Sequence, residues 1–379
     1  MQEGLDFDQL LMIPQRSTVM SRKDVKLERT FQFYHSLKTW TGIPIIASNM
    51  GCTGIESVAS IFSKYKMITA LHKYHTVDET VSILTKYGLD YVWPSIGLKD
   101  FDKIVSIHNL LVQKTPLQFG SCYPNIVIDV PSGYISGFVE YCKKIRNKFP
   151  NSIICAGNIV TLELCQELIL HGGVDICKIG IGSGKNCKTR LMTGVGVPQA
   201  TAIKLCSHIH GLKSDEKRLG LLCSDGGIQN PGDIAKAFGL NADFTMIGGL
   251  IAGTSETGTK EDWEYQKSPV AIQGQEVKYI IDYTKPLYLK NYGMSSHYSQ
   301  EKHAEGRKNY RASEGHVIKV PHKGPLDDLT QEILGGLRSC GAYLGAKSLK
   351  EFSRCARFIK VNKIHDNMNH EEHNENTLS

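Results

Sequence analysis

One stretch of the chain concentrates the residue types that can make and break covalent bonds. It reads Gly180-Ile181-Gly182-Ser183-Gly184-Lys185-Asn186-Cys187-Lys188-Thr189-Arg190. It lies close to two nucleotide motifs and satisfies neither. A P-loop requires Ser or Thr after Gly184-Lys185, where Asn186 stands, and a GxGxxG series begun at Gly180 fails at Lys185. What is left is a glycine-rich loop holding one thiol, with Lys188 and Arg190 beside it. Neighbouring cations favour the thiolate, the nucleophilic form of cysteine. Cys155, Cys177 and Cys223 fall inside apolar runs and read as small core residues. Cys187 falls in a polar loop with no packing role, which makes it the candidate nucleophile.

Two glycine pairs close other apolar runs, in Ser224-Asp225-Gly226-Gly227 and in Gly248-Gly249. Paired glycines at such ends let backbone N–H groups approach an anion closely, so they suit a phosphate. Asp225 beside them can accept hydrogen bonds from ribose hydroxyls. A long polar segment follows, over about 257–325. It carries Tyr292-Gly293-Met294-Ser295-Ser296 and Tyr310-Arg311-Ala312-Ser313-Glu314-Gly315. That length is unusual for a plain connection, so the segment reads as a functional lid or a small added hairpin.

These residues must be positioned by the runs that precede them. Eight short apolar runs recur at 44–48, 67–71, 91–96, 125–130, 152–157, 176–181, 220–225 and 244–249. Continuous runs of four to six residues fit strands buried on both faces. Helical spacing fills most intervals. A helix ends at Gly172-Gly173, and another covers 231–239 with Pro231 in its first turn. Eight strands alternating with helices predict the α/β class and a (β/α)8 TIM barrel, with a doubly wound open sheet as the alternative. In a barrel the working residues sit where strands end. The expected additions are a flap after the eighth strand and a C-terminal helix over 326–349, interrupted by Gly335-Gly336.

The 379 residues allow one large barrel with additions. Lys plus Arg number 44 against 38 Asp plus Glu, a net +6. So mild an excess suits phosphorylated ligands and argues against a nucleic-acid partner. Eleven cysteines without CxxC spacing indicate neither a disulfide scaffold nor a zinc site. Reduced thiols, no signal-like N-terminus and no apolar run near ~18 residues lead us to expect a cytoplasmic protein without a membrane span. Residues 1–363 are expected to form one catalytic barrel domain including the flap. The polar stretch 364–379 reads as a disordered tail; its His370-Glu371-Glu372-His373 lacks HExxH spacing.

Taken together, the Cys187 loop with Thr189 and Gly194-Val195-Gly196, the two glycine pairs, the Tyr292 segment and the Arg311 segment resemble the IMP dehydrogenase/GMP reductase family. The likeness runs over about residues 5–360. No regulatory insert interrupts 72–120, and only residues 297–319 separate the Tyr292 segment from Val320-Pro321-His322-Lys323-Gly324, which points to the reductase branch. The resemblance implies NADPH-dependent reductive deamination of GMP to IMP and ammonia through a thioimidate on Cys187. Thr189 and Glu314 would be the proton-transfer pair. It implies a GMP site of Ser183, Asp225, Gly226, Gly227, Gly248, Gly249, Gly293, Met294, Ser295, Arg311, Ser313 and Gly315. For NADPH it implies Lys73, Asp129, Val130, Pro131, Ile181, Gly182, Met294, Tyr310 and Arg311, with Ser21 and Arg22 from a neighbouring subunit of a homotetramer. Potassium would be held by Gly182, Gly184, Cys187 and Arg190. An IMP dehydrogenase, or a purine-nucleotide-binding barrel with little catalysis, are the competing readings.

Several positions depart from the family pattern. Ser183 stands for a usual Pro, Lys185-Asn186 for Ser-Val, and Lys188 for Thr. Gly51 replaces an Asp, and Pro131-Ser132 replace Ala-Asn.

Overall fold

The computed structural model of the protein describes residues 3–115, 123–270, 278–303 and 314–362. Eight parallel strands form its centre: β1 (Ile45–Ala47), β2 (Ile68–Leu71), β3 (Val92–Ile96), β4 (Ile126–Asp129), β5 (Ile154–Ile159), β6 (Ile176–Ile179), β7 (Leu221–Asp225) and β8 (Phe244–Ile247). Each pairs with the next, and β8 pairs back onto β1 with Thr245 opposite Ile45. That closure makes the sheet a barrel and excludes the open, doubly wound alternative. The helices between them are α1 (Glu56–Phe62), α2 (Val77–Tyr87), α3 (Phe101–Lys114), α4 (Phe138–Lys148), α5 (Leu162–Leu170), α6 (Gln199–Cys206), α7 (Pro231–Gly239) and α8 (Leu326–Leu344).

Alternation along each strand sorts the apolar residues into two layers. Ile46, Ile68, Ala70, Val127, Cys155, Ile176, Cys223 and Met246 point inward and fill the barrel. Ile45, Ala47, Ile126, Ile128, Ile154, Ala156, Cys177 and Ile179 point outward and pack under the helices. Both faces are apolar, which is why each strand appears in the sequence as an unbroken run. Beneath the strands' N-terminal ends, an antiparallel hairpin (Arg29–Gln32 with Thr39–Gly42) plugs the interior. Its Phe31 and Trp40 lie 4.7 and 5.4 Å from the Phe244 ring, measured between centroids.

Local chemistry fixes the helix ends. Thr76 caps α2, accepting from the Glu79 N–H, while the Glu79 carboxylate accepts from the Thr76 N–H. Asn230 caps α7 ahead of Pro231. Helix α8 departs from expectation twice. It stops at Leu344, where Gly345 takes a left-handed turn (φ +69°), and it runs straight through Gly335-Gly336. A Cβ on Gly336 would lie 2.9 Å from Cβ of Pro231, so this glycine lets α8 approach α7. Gly336→Val is expected to lower stability by about 1–3 kcal/mol through overpacking, read from the thermal midpoint.

The polar segment between β8 and α8 is neither a bare loop nor a simple hairpin. It holds a three-stranded antiparallel sheet of β9 (Trp263–Val270), β10 (Lys278–Tyr292) and β11 (Val317–Pro321). Trp263 roots it by donating from Nε1 to the Thr257 carbonyl at 2.7 Å. Buried Asp262 does the same by accepting from Lys302 at 2.7 Å and from the Tyr298 hydroxyl at 3.2 Å. The expected tail at 364–379, and Tyr310, Arg311 and Ser313, lie outside the described residues. Among the described residues no helix is long and apolar enough to cross a membrane.

Candidate active site

The inward positions that carry apolar side chains lower in the barrel carry charge at its C-terminal end. Residues 127 and 129, 176 and 178, and 223 and 225 share the interior face of their strands. They place Asp129, Lys178 and Asp225 together above the apolar layers. The Lys178 ammonium, only 1% exposed, reaches Asp129 at 2.6 Å and Asp225 at 3.1 Å. It also contacts Oδ1 of Asn158, whose Nδ2 donates to Asp225 at 2.8 Å. Burial alone would lower the lysine pKa. The two carboxylates outweigh it and hold the ammonium above the usual lysine range. Burial, the largest single influence, pushes Asp129 up, but Lys178, Asn49 and Lys73 together pull it down, and it ends below its ordinary value.

Above this layer opens a cavity of about 410 Å³. The loop after β6 forms one wall. Its Cys187 N–H donates to the Gly184 carbonyl at 2.9 Å, turning the thiol inward. The thiol donates to Oγ1 of Thr189 at 3.1 Å, and that hydroxyl donates to Oε2 of Glu314 at 2.7 Å. Sulfur, hydroxyl and carboxylate thus form a continuous path for a proton. Glu314 arrives from 125 positions away because the segment before β11 is stitched to the Cys187 loop. The Lys188 N–H donates to the Glu314 carbonyl at 2.6 Å, Cys187 and Gly315 form a β-bridge, and the His316 N–H donates to the Asn186 carbonyl at 2.8 Å. The contact at 188 is through backbone, so the Lys188 departure leaves it intact.

The glycine pairs line the cavity next to this loop. Gly226 (φ +102°) and Gly227 (φ +75°) adopt left-handed turns, and a Cβ on Gly226 would lie 2.5 Å from Oγ of Ser183. Ser183 itself donates to Oε1 of Gln199 at 2.7 Å. Gly248 and Gly249 follow β8. Met294 closes over the β1 loop, its sulfur accepting from the Gly51 N–H at 3.2 Å. Gly51 also has a reason to lack a side chain here: its Cβ would sit 2.3 Å from the Tyr292 hydroxyl oxygen.

Most of the sequence-predicted site residues line this one cavity. They are Lys73, Asp129, Val130, Pro131, Ile181, Gly182, Ser183, Gly184, Cys187, Thr189, Asp225, Gly226, Gly227, Gly248, Gly249, Gly293, Met294, Ser295 and Glu314. Gly315 is bridged to Cys187 at its edge. Ser21 and Arg22 do not line the cavity; they sit on an exposed turn where Ser21 accepts from the Lys23 N–H. Arg190 does not line it either. Its guanidinium pairs with Asp6 at 2.7 Å and donates to the Val197 carbonyl. A guanidinium has no lone pair to offer a cation, so only the backbone of Arg190 suits a potassium loop.

Sequence reasoning missed Lys178, Asn158 and Asn186. A lysine inside an otherwise apolar buried run was the available signal for the first. Asn186 gave none; it is 6% exposed, and neither of its amide atoms has a partner among the described residues.

A thiol relay beside glycine-lined walls on a barrel invites comparison with known proteins. The model of the IMP dehydrogenase / GMP reductase domain matches residues 115–372. A curated protein named GMP reductase from Escherichia coli O81 is 40% identical over 374 residues, covering 96% of this chain and 98% of its own length. One of the same name from Shigella dysenteriae serotype 1 matches to the same extent. Likeness of that degree across nearly the whole of both chains, together with the family-model match, establishes that the chain belongs to the IMP dehydrogenase/GMP reductase family.

Proposed function

We propose that this chain catalyses the reaction GMP + NADPH + H⁺ → IMP + NH₃ + NADP⁺. The observation that carries the reading is the Cys187–Thr189–Glu314 path. The Cys187 proton moves to Thr189 as the threonine proton moves to Glu314, and the freed thiolate attacks carbon 2 of guanine. Glu314 returns a proton through Thr189 to the amine, the C–N bond breaks, and ammonia leaves. A thioimidate remains between Sγ and carbon 2, splitting one difficult displacement into two easier steps. NADPH supplies the hydride that takes the amine's place. The Sγ–carbon bond then breaks, IMP is released and the thiol is reprotonated.

The remaining residues bind and orient. Gly226, Gly227, Gly248 and Gly249 face the phosphate, and Asp225, held by Lys178 and Asn158, faces the ribose. Gly293, Met294, Ser295 and Gly315, with Arg311 and Ser313, seat the nucleotide. The cavity runs on from Cys187 to Lys73 and Asp129-Val130-Pro131, which leaves room beside the purine for the nicotinamide end of NADPH. Ser21 and Arg22, lying outside their own chain's cavity, serve a neighbour's in a homotetramer. Neutral carbonyls of Gly182, Gly184 and Cys187 are the ligands potassium prefers, and the ion would hold the thiol loop in its turn.

The test is loss of NADPH absorbance on mixing with GMP, with IMP and ammonia measured as products, with and without potassium. Unchanged NADPH and intact GMP reject the proposal; IMP with NAD⁺ yielding NADH instead would assign the dehydrogenase reaction. Within the proposal, Glu314→Gln keeps a hydrogen-bonding partner for Thr189 but cannot take its proton. Single-turnover ammonia release is expected to slow by about 10²–10⁴-fold, with GMP affinity within a few fold of wild type.

A further inference from the structure

The charges around the cavity are unevenly balanced. At the base of the cavity Lys178 is matched by Asp129 and Asp225. At the Gly248-Gly249 end two lysines meet, and neither pairs with a carboxylate among the described residues. The Lys185 stem lies along Gly249, its Cβ and Cδ each 3.5 Å from where a Cβ on that glycine would be. Lys185 lines the cavity, is exposed, and pairs with no carboxylate among the described residues. Lys323 approaches from the segment after β11, its ammonium donating to the Leu250 carbonyl at 3.0 Å. Burial first, and then the charge of Lys185, lower the Lys323 pKa, so the two cations feel each other.

We propose that Lys185 is a specificity residue of this chain, its ammonium forming an ion pair with the 5′-phosphate of the bound purine mononucleotide. The inference rests on the reading of this cavity as a GMP site. It gives a physical role to one of the departures from the family pattern: a hydroxyl at 185 can only share a hydrogen bond, whereas an ammonium adds a full charge. Lys323 behind it makes the end of the pocket more positive and leaves its own hydrogen bond undisturbed. The consequence is a nucleotide site that depends on the phosphate charge more than glycine N–H groups alone would require.

The test compares wild type with Lys185→Ser and Lys185→Arg, using GMP, guanosine and NADPH as probes at low and high salt. For Lys185→Ser we expect the GMP dissociation constant and KM to rise about ten- to a hundredfold. At saturation kcat should hold within about twofold, and the KM for NADPH should not move. Guanosine should bind both proteins equally, and the salt dependence of GMP binding should flatten in the variant. Lys185→Arg should retain GMP affinity within about threefold. Wild-type GMP affinity in Lys185→Ser, or an equal loss for guanosine, overturns the assignment. GMP binding without NADPH oxidation by the wild type instead rejects the reductase reading and leaves Lys185 in place. A wild type that binds no GMP overturns both.

Discussion

A Cys187→Ala variant is expected to lose turnover by about 10⁴-fold or more while binding GMP within a few fold of wild type. The substitution removes only the sulfur. The Cys187 N–H still closes the turn onto Gly184, and Glu314 and Gly315 remain attached to the loop through backbone. In the proposed binding mode affinity comes from the glycine walls and from Lys185, which the variant leaves alone. Mass spectrometry of acid-quenched wild type, mixed with GMP without NADPH, should show the nucleotide on the peptide containing Cys187. Turnover in the variant within tenfold of wild type would eliminate the covalent route.

The second large effect concerns stability. Lys178→Met should cost about 3–5 kcal/mol at neutral pH, because it leaves Asp129 and Asp225 facing each other without their buried cation. The pH dependence has a definite sign. Asp129 titrates below its ordinary value in the folded chain, so its contribution is present in full above the unfolded pKa and is lost as pH falls through the folded one. Lys178 titrates above its ordinary value, so its contribution is complete below the unfolded lysine pKa and fades only as pH rises through the folded one. In the variant the uncompensated carboxylates can shed charge by taking up protons. The deficit in urea midpoint should therefore shrink between pH 7 and pH 4.5. An equal deficit at both would show that lost packing, not charge, explains the change.

What the sequence revealed follows how local each signal is. A strand buried on both faces must be apolar throughout, so all eight barrel strands could be read from their own residues. Cys187 stands in a polar loop and the glycine pairs terminate their own strands, so these too could be singled out from their own residues, whereas Thr189 was singled out only through the family resemblance. Glu314 was legible only through the family resemblance, since nothing in its surroundings says that it meets Thr189. The lid sheet depends on pairings such as Tyr288 with Pro321 across a long interval, and the plug hairpin on a barrel floor that exists only after closure. Lys178 is the clearest case. Its partners lie 49 and 47 positions away, and only the cylinder brings them within reach.

The stitch between the Cys187 loop and residues 314–316 is what holds the Glu314 carboxylate against Thr189. Glu314 shares its backbone attachment with the strand leading into β11, so lifting that strand off the loop disconnects the carboxylate from Thr189 in the same movement. On the proposed mechanism the sulfur would then be without its proton acceptor until the strand is back on the loop.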